Sequence, residues 1–96
     1  MENNLSIVKD TFKELPNNIE AEQAVIGSIL VQNETFDEIN TIVSSINFYD
    51  PMHQSIFSAI ERLIYKGMLA NPITLKNYMV QLSQLKLQNY YKKMIN

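Results

Sequence analysis

Asp50-Pro51-Met52-His53-Gln54-Ser55-Ile56-Phe57-Ser58-Ala59-Ile60-Glu61-Arg62-Leu63-Ile64-Tyr65-Lys66-Gly67 is a helix with both of its ends marked. A proline at the first helical position has no N–H to lose there, and the Asp50 carboxylate can accept from the free N–H groups that follow. Ile56, Phe57, Ile60, Leu63 and Ile64 recur on one face of a 3.6-residue period, the stripe of a buried helix. Gly67 supplies the stop. The spacing therefore predicts a helix over Pro51–Lys66, about 24 Å long at 1.5 Å per residue, long enough to be the central element of a small domain.

Working outward, the upstream sequence predicts two more helices. The first runs over Ile19–Val31, with Asn18 as its cap and Glu20 and Glu22 in a first turn where acids complement the helix dipole. A glycine inside a helix costs about 1 kcal/mol relative to alanine, so Gly27, beside Ala24 and Ser28, predicts that another helix crosses close to this backbone. The second runs over Glu34–Val43, capped by Asn33, with Phe36, Ile39, Ile42 and Val43 on one side. In the connector that follows, the adjacent aromatics Phe48 and Tyr49 are expected to plug the end of the core.

Downstream, Asn71-Pro72 repeats the pairing of a cap with a first-position proline, and Ile73, Leu75, Tyr78, Met79 and Leu82 continue as a helix. Beyond Met79 the pattern loosens, and Leu82, Leu85 and Leu87 mix helical spacing with alternation. Residues 1–14 have weak periodicity and read as a flexible N-terminal arm, 15–79 as the helical domain, and 80–96 as a divergent basic tail. No segment has the period of two that marks a strand. The fold class is all-α, a small orthogonal bundle of four or more helices.

Composition limits the chemistry. A chain of 96 residues makes one domain at most. With no cysteine and one histidine it has no disulfide, no thiolate zinc site and no cysteine nucleophile. Its two glycines, Gly27 and Gly67, lie far apart, whereas phosphate-cradling loops need at least two in one short turn. The carboxylates Glu34, Asp37 and Glu38 sit at a helix start, opposite Phe36 and Ile39, and read as a solvated face rather than an acid–base pair. His53, in a first helical turn, reads as a hydrogen-bonded structural histidine, since no second soft ligand exists. No catalytic, cofactor-binding or metal-ligating residue is assigned.

The net charge of −2 hides a division: all ten acids lie at or before Glu61, whereas residues 62–96 hold six of the eight bases and no acid. That end could meet an anionic partner. Tyr90-Tyr91-Lys92-Lys93 could stack on single-stranded nucleic acid, or could be a partly docked, solvated terminus. The N-terminus, with charges of both signs and no long apolar stretch, is unlike a secretory signal, and Ala24–Val31 is too short for a bilayer, so a cytoplasmic protein with no membrane contact is expected.

Leu15-Pro16-Asn17-Asn18-Ile19-Glu20-Ala21-Glu22-Gln23-Ala24-Val25-Ile26-Gly27-Ser28-Ile29-Leu30 resembles the opening of the bacterial DnaB-type replicative DNA helicases. Phe36-Asp37-Glu38-Ile39 falls where that family has an aromatic followed by acids. Phe48-Tyr49-Asp50-Pro51-Met52-His53-Gln54-Ser55-Ile56-Phe57-Ser58-Ala59-Ile60 resembles its Asp-Phe-Tyr, His, Ile-Phe, Ala stretch. Lys66-Gly67 with Ala70-Asn71-Pro72-Ile73-Thr74-Leu75-Lys76 resembles a variant of the next segment, in which Asn-Pro replaces Pro-Ile-Asp. The resemblance covers 15–79.

The resemblance implies a truncated helicase: the N-terminal domain alone, a non-catalytic module of the DNA replication primosome. In the family this domain forms a collar on the helicase ring and contacts primase, so the implied partners are primase and other helicase subunits. No cofactor is implied for this chain, because ATP and Mg²⁺ belong to the family's separate ATPase domain, and direct DNA binding is not expected. The sudden change after Met79 suggests a shifted reading frame near codon 80. The alternative is a stand-alone basic helical module that binds nucleic acid or a protein through residues 62–96. Salt separates the two, since phosphate binding weakens steeply as salt rises.

Overall fold

The computed structural model describes residues 18–95, which form four α-helices and one short 3-10 turn, with no strand among them. The expected arm, 1–14, lies outside the described residues. Helix α1 is Ile19–Val31, α2 is Thr35–Ile39, the 3-10 turn is Ser45–Asn47, α3 is Pro51–Tyr65 and α4 is Pro72–Ile95.

Three of the four helix starts follow their local signals. Asn18 accepts from the Ala21 N–H at 3.0 Å, and Asp50 accepts from Met52 N–H at 2.8 Å. Asn71 Oδ1 accepts from both Ile73 and Thr74 N–H, each at 2.9 Å, while the Thr74 hydroxyl oxygen accepts back from Asn71 N–H at 3.0 Å. This reciprocal pairing satisfies donors on both sides of the first turn. The end of α3 is also as expected: Gly67 has φ +77°, and Gly67 and Met68 N–H donate to the Ile64 and Leu63 carbonyls, each at 2.9 Å. These are the two bonds of a Schellman cap, which needs a left-handed residue at that position.

Helix α2 is shorter than the predicted Glu34–Val43. The Thr41 hydroxyl donates to the Glu38 carbonyl at 2.7 Å, and Ile42 and Val43 N–H both donate to Ile39, each at 2.9 Å. The side chain takes the acceptor that the next helical N–H needs, so the chain tightens into turns. Phe36, Ile39 and Val43 are nevertheless buried, as the pattern requires.

Helix α3 is the centre, packing against α1, α4 and the 3-10 turn. The core is built on an aromatic line: Phe57 lies between Phe36 and Phe48, with ring centroids 5.5 and 5.0 Å away. Val25, Ile26, Ile29, Ile39, Ile60, Leu63 and Leu75 surround it. Phe48 plugs the core as expected, but Tyr49 does not, being 62% exposed.

Two further expectations are corrected. A Cβ on Gly27 would meet nothing within 4 Å, so no helix crosses there. The buried face of α1 is Glu22, Val25, Ile26 and Ile29, and Gly27 lies beside that face. Helix α4, whose pattern loosens after Met79, continues unbroken to Ile95. Leu75 is buried and Tyr78 and Met79 pack on the core, whereas residues 80–94 are exposed along their whole length. This projecting helix is consistent with the elongated extents of 53 × 28 × 19 Å. Among the described residues, no helix is long and apolar enough to cross a membrane.

Candidate interaction surface

The polar centre of the structure is Glu22, a carboxylate only 2% exposed. Its Oε2 accepts from Tyr49 N–H at 2.6 Å, and its Oε1 accepts from Asp50 N–H at 3.3 Å and lies 2.8 Å from His53 Nδ1. One side chain on α1 thus holds the end of the connector and the start of α3. It accepts from the N–H of the capping residue Asp50, a bond that a capping box would take from within its own helix. All three bonds go to the protein, and the carboxylate is shut away from solvent. His53 is buried and hydrogen-bonded, as its sequence position suggests, and its ring also meets Phe48 edge-on at 6.4 Å.

A second polar join lies at the other end of the core. Asn33 does not cap α2; Glu34 occupies that position without a side-chain bond. Instead Asn33 Nδ2 donates to the Ile29 and Ala70 carbonyls, each at 2.9 Å, and its Oδ1 accepts from Ala70 N–H at 2.8 Å. The amide therefore pairs with both backbone groups of a residue 37 positions away, fixing the loop before α4 onto the end of α1. Ala70 is fully buried beneath it.

The sequence does not reveal these two roles directly. Glu22 had one available signal: it falls one turn before Val25, Ile26 and Ile29 on the same helical stripe, a core position. Asn33 had none, because its partner is a backbone group in a distant loop.

Glu34, Asp37 and Glu38 are all exposed, on the side of α2 away from Phe36 and Ile39. Among the described residues no group of three or more His, Cys, Asp or Glu could hold a metal ion. Every buried side-chain nitrogen and oxygen among the described residues has a hydrogen-bond partner.

What the molecule does present is apolar surface. On α4, Val80, Leu85, Leu87, Tyr90, Tyr91 and Met94 are between 47% and 65% exposed. On a single chain such patches mark contact with another molecule more often than chemistry. Basic groups accompany them at Lys86, Lys92 and Lys93.

A protein-family model and several curated proteins match this chain. The family described as DnaB-like helicase N terminal domain matches residues 14–96. That match takes in 80–96, where the sequence pattern by itself loosens. The replicative DNA helicase DnaB of Rickettsia felis is 42% identical over 67 residues, covering 70% of this chain and 14% of the relative. That of Rickettsia prowazekii is 36% identical over 84 residues, 84% of this chain and 17% of the relative. That of Buchnera aphidicola is 35% identical over 82 residues, 85% of this chain and 18% of the relative. The chain therefore spans less than one fifth of these curated relatives. No solved structure matches it.

Proposed function

Since this chain belongs to the DnaB-like helicase N-terminal domain family, we propose that it acts as a non-catalytic interaction module of the DNA replication machinery, contacting primase and other helicase subunits in the cytoplasm. The observation that carries this reading is the family match over residues 14–96, joined to a surface that is apolar and basic instead of chemically equipped. In this reading 15–79 is the helical domain and 80–96 a basic extension of it. In this reading the chain works without metal or nucleotide, which its two widely separated glycines support, since a phosphate cradle needs at least two in one short turn.

A single chain offers primase one docking surface, so it lacks the gain that comes from several linked sites. Titration with the C-terminal domain of a bacterial primase should therefore show weak one-to-one binding, in or above the roughly micromolar range. Attaching several copies of the chain to one scaffold should tighten it. Absence of binding in both forms would overturn the proposal, as would protein-dependent ATP hydrolysis by the chain alone.

A further inference from the structure

The first turns of α1 and α3 meet at Glu22, and three exposed apolar side chains lie on the connector and helix start that it holds. Tyr49 and Met52 are 62% and 59% exposed, and Ile46, in the preceding 3-10 turn, is 80% exposed. The chain enters the globule at the same place. Asn18 carbonyl accepts from Glu22 N–H at 3.1 Å, one helical turn from the carboxylate that accepts from Tyr49 N–H. The surroundings are acidic: residues 18–61 hold seven of the ten acids and neither lysine nor arginine. Among those acids are Glu20, exposed in the first turn of α1, and Asp50, half-buried at the start of α3.

The segment that precedes Asn18 has a sequence that matches this surface. Leu5, Val8, Phe12 and Leu15 are spaced i, i+3, i+7 and i+10, the interval that puts four residues on one side of a helix. Ile7 falls off that side, which weakens the periodicity of the segment as a whole. On the same helical projection Lys9 and Lys13 border one edge of the stripe, and Asp10 and Glu14 fall opposite it. They are the only lysines before Lys66.

We propose that the N-terminal arm folds back at Pro16 and lays Leu5, Val8, Phe12 and Leu15 over Ile46, Tyr49 and Met52, with Lys9 and Lys13 toward Glu20 and Asp50. Pro16 disfavours helical backbone at Leu15, so the arm and α1 are separate elements and the chain can change direction between them. A stripe from Leu5 to Leu15 is about 15 Å long as a helix, whereas the 13 residues of α1 span about 20 Å. The folded-back arm therefore belongs at the Glu22 end of the core and not at the Asn33 end. So short a helix is marginal alone and needs a surface to pack on. Tethering favours this one, since a linked segment meets its site at an effective concentration in about the mM range, and modest contacts suffice. The contact lies within one chain and stands whether or not primase binds.

The test uses the full chain. With no cysteine of its own, it takes a single nitroxide label through Ser6→Cys, a position off the apolar stripe. The amide signals of Ile46, Tyr49 and Met52 should broaden relative to the diamagnetic form, and those of Val31 and Leu69, at the other end of the core, should not. The arm variant Val8→Ser, Phe12→Ser should lose the broadening. It should also speed trypsin cleavage at Lys9 and Lys13 by about fivefold or more, because cleavage follows the open population. The face variant Tyr49→Ser, Met52→Ser replaces only exposed side chains, so it should keep its helical circular dichroism and release the arm in the same way. The charge variant Lys9→Glu, Lys13→Glu should reduce the broadening with the stripe intact.

Absent broadening, equal broadening at both ends of the core, or broadening unchanged by both apolar double variants would each overturn the proposal. So would broadening that fades on dilution, which would place the arm on a neighbouring copy.

Discussion

Oε1 of Glu22 lies 2.8 Å from Nδ1 of His53, joining the first turn of α1 to the first turn of α3 across 31 residues of sequence. With the Tyr49 and Asp50 N–H groups on the same carboxylate, three donors depend on one buried side chain. Leaving a buried donor unpaired costs about 1–3 kcal/mol. Glu22→Ala should therefore lower stability by about 3 kcal/mol or more, read as a shift of the urea midpoint. Glu22→Gln should also destabilise, because its NH₂ cannot accept from the N–H groups that the carboxylate serves. A Glu22→Gln chain as stable as the parent would show that the carboxylate is not what holds the connector.

Asn33 makes the second prediction. Asn33→Ala removes the pair of bonds to Ala70 and leaves both of that residue's buried backbone groups without their partner. A loss of about 1–3 kcal/mol is expected. Amide exchange should localise it, with the Ala70 N–H gaining exchange rate while the α3 amides change only with global stability. Unchanged protection at Ala70 would contradict the assignment.

The parts of this fold that were legible in the sequence are those whose cause is local. Asn18, Asp50-Pro51, Gly67 and Asn71-Pro72 act on backbone groups within a few residues, so the ends they mark could be read directly. Glu22 and Asn33 act across 31 and 37 residues, and nothing near them in the chain announces their partners. The early end of α2 depends on a hydroxyl competing for a single carbonyl, which residue periodicity does not register. Helix α4 illustrates a different failure. Its apolar pattern weakens after Met79, yet no glycine or proline follows Pro72, so nothing in the sequence terminates it.

The two glycines should respond in opposite directions to the same substitution. Gly27 sits inside α1 with open space where a Cβ would go. Gly27→Ala should leave stability unchanged or raise it by up to about 1 kcal/mol, through helix propensity alone. Gly67 has open space as well, but at φ +77° an L side chain is strained. Gly67→Ala should cost about 1 kcal/mol. Thermal melts of the two variants would separate conformational strain from packing, and a destabilised Gly27→Ala would restore the close helix crossing that the structure excludes.

The final prediction concerns the outer half of α4. Its amides are held by hydrogen bonds within one helix, and residues 80–94 have no burial to protect them. An isolated helix of this length is marginal in water, because nucleation is costly and most helical stability in proteins comes from packing. Residues after about Leu82 should therefore exchange amide protons faster than Ser55–Ile64 in α3, whose inner face is closed by the aromatic line. Trypsin should cut first at Lys86, Lys92 and Lys93, leaving a resistant product that still contains Arg62 and Lys66. Protection of 86–94 equal to that of α3 would contradict the prediction and mean that the segment is covered in solution.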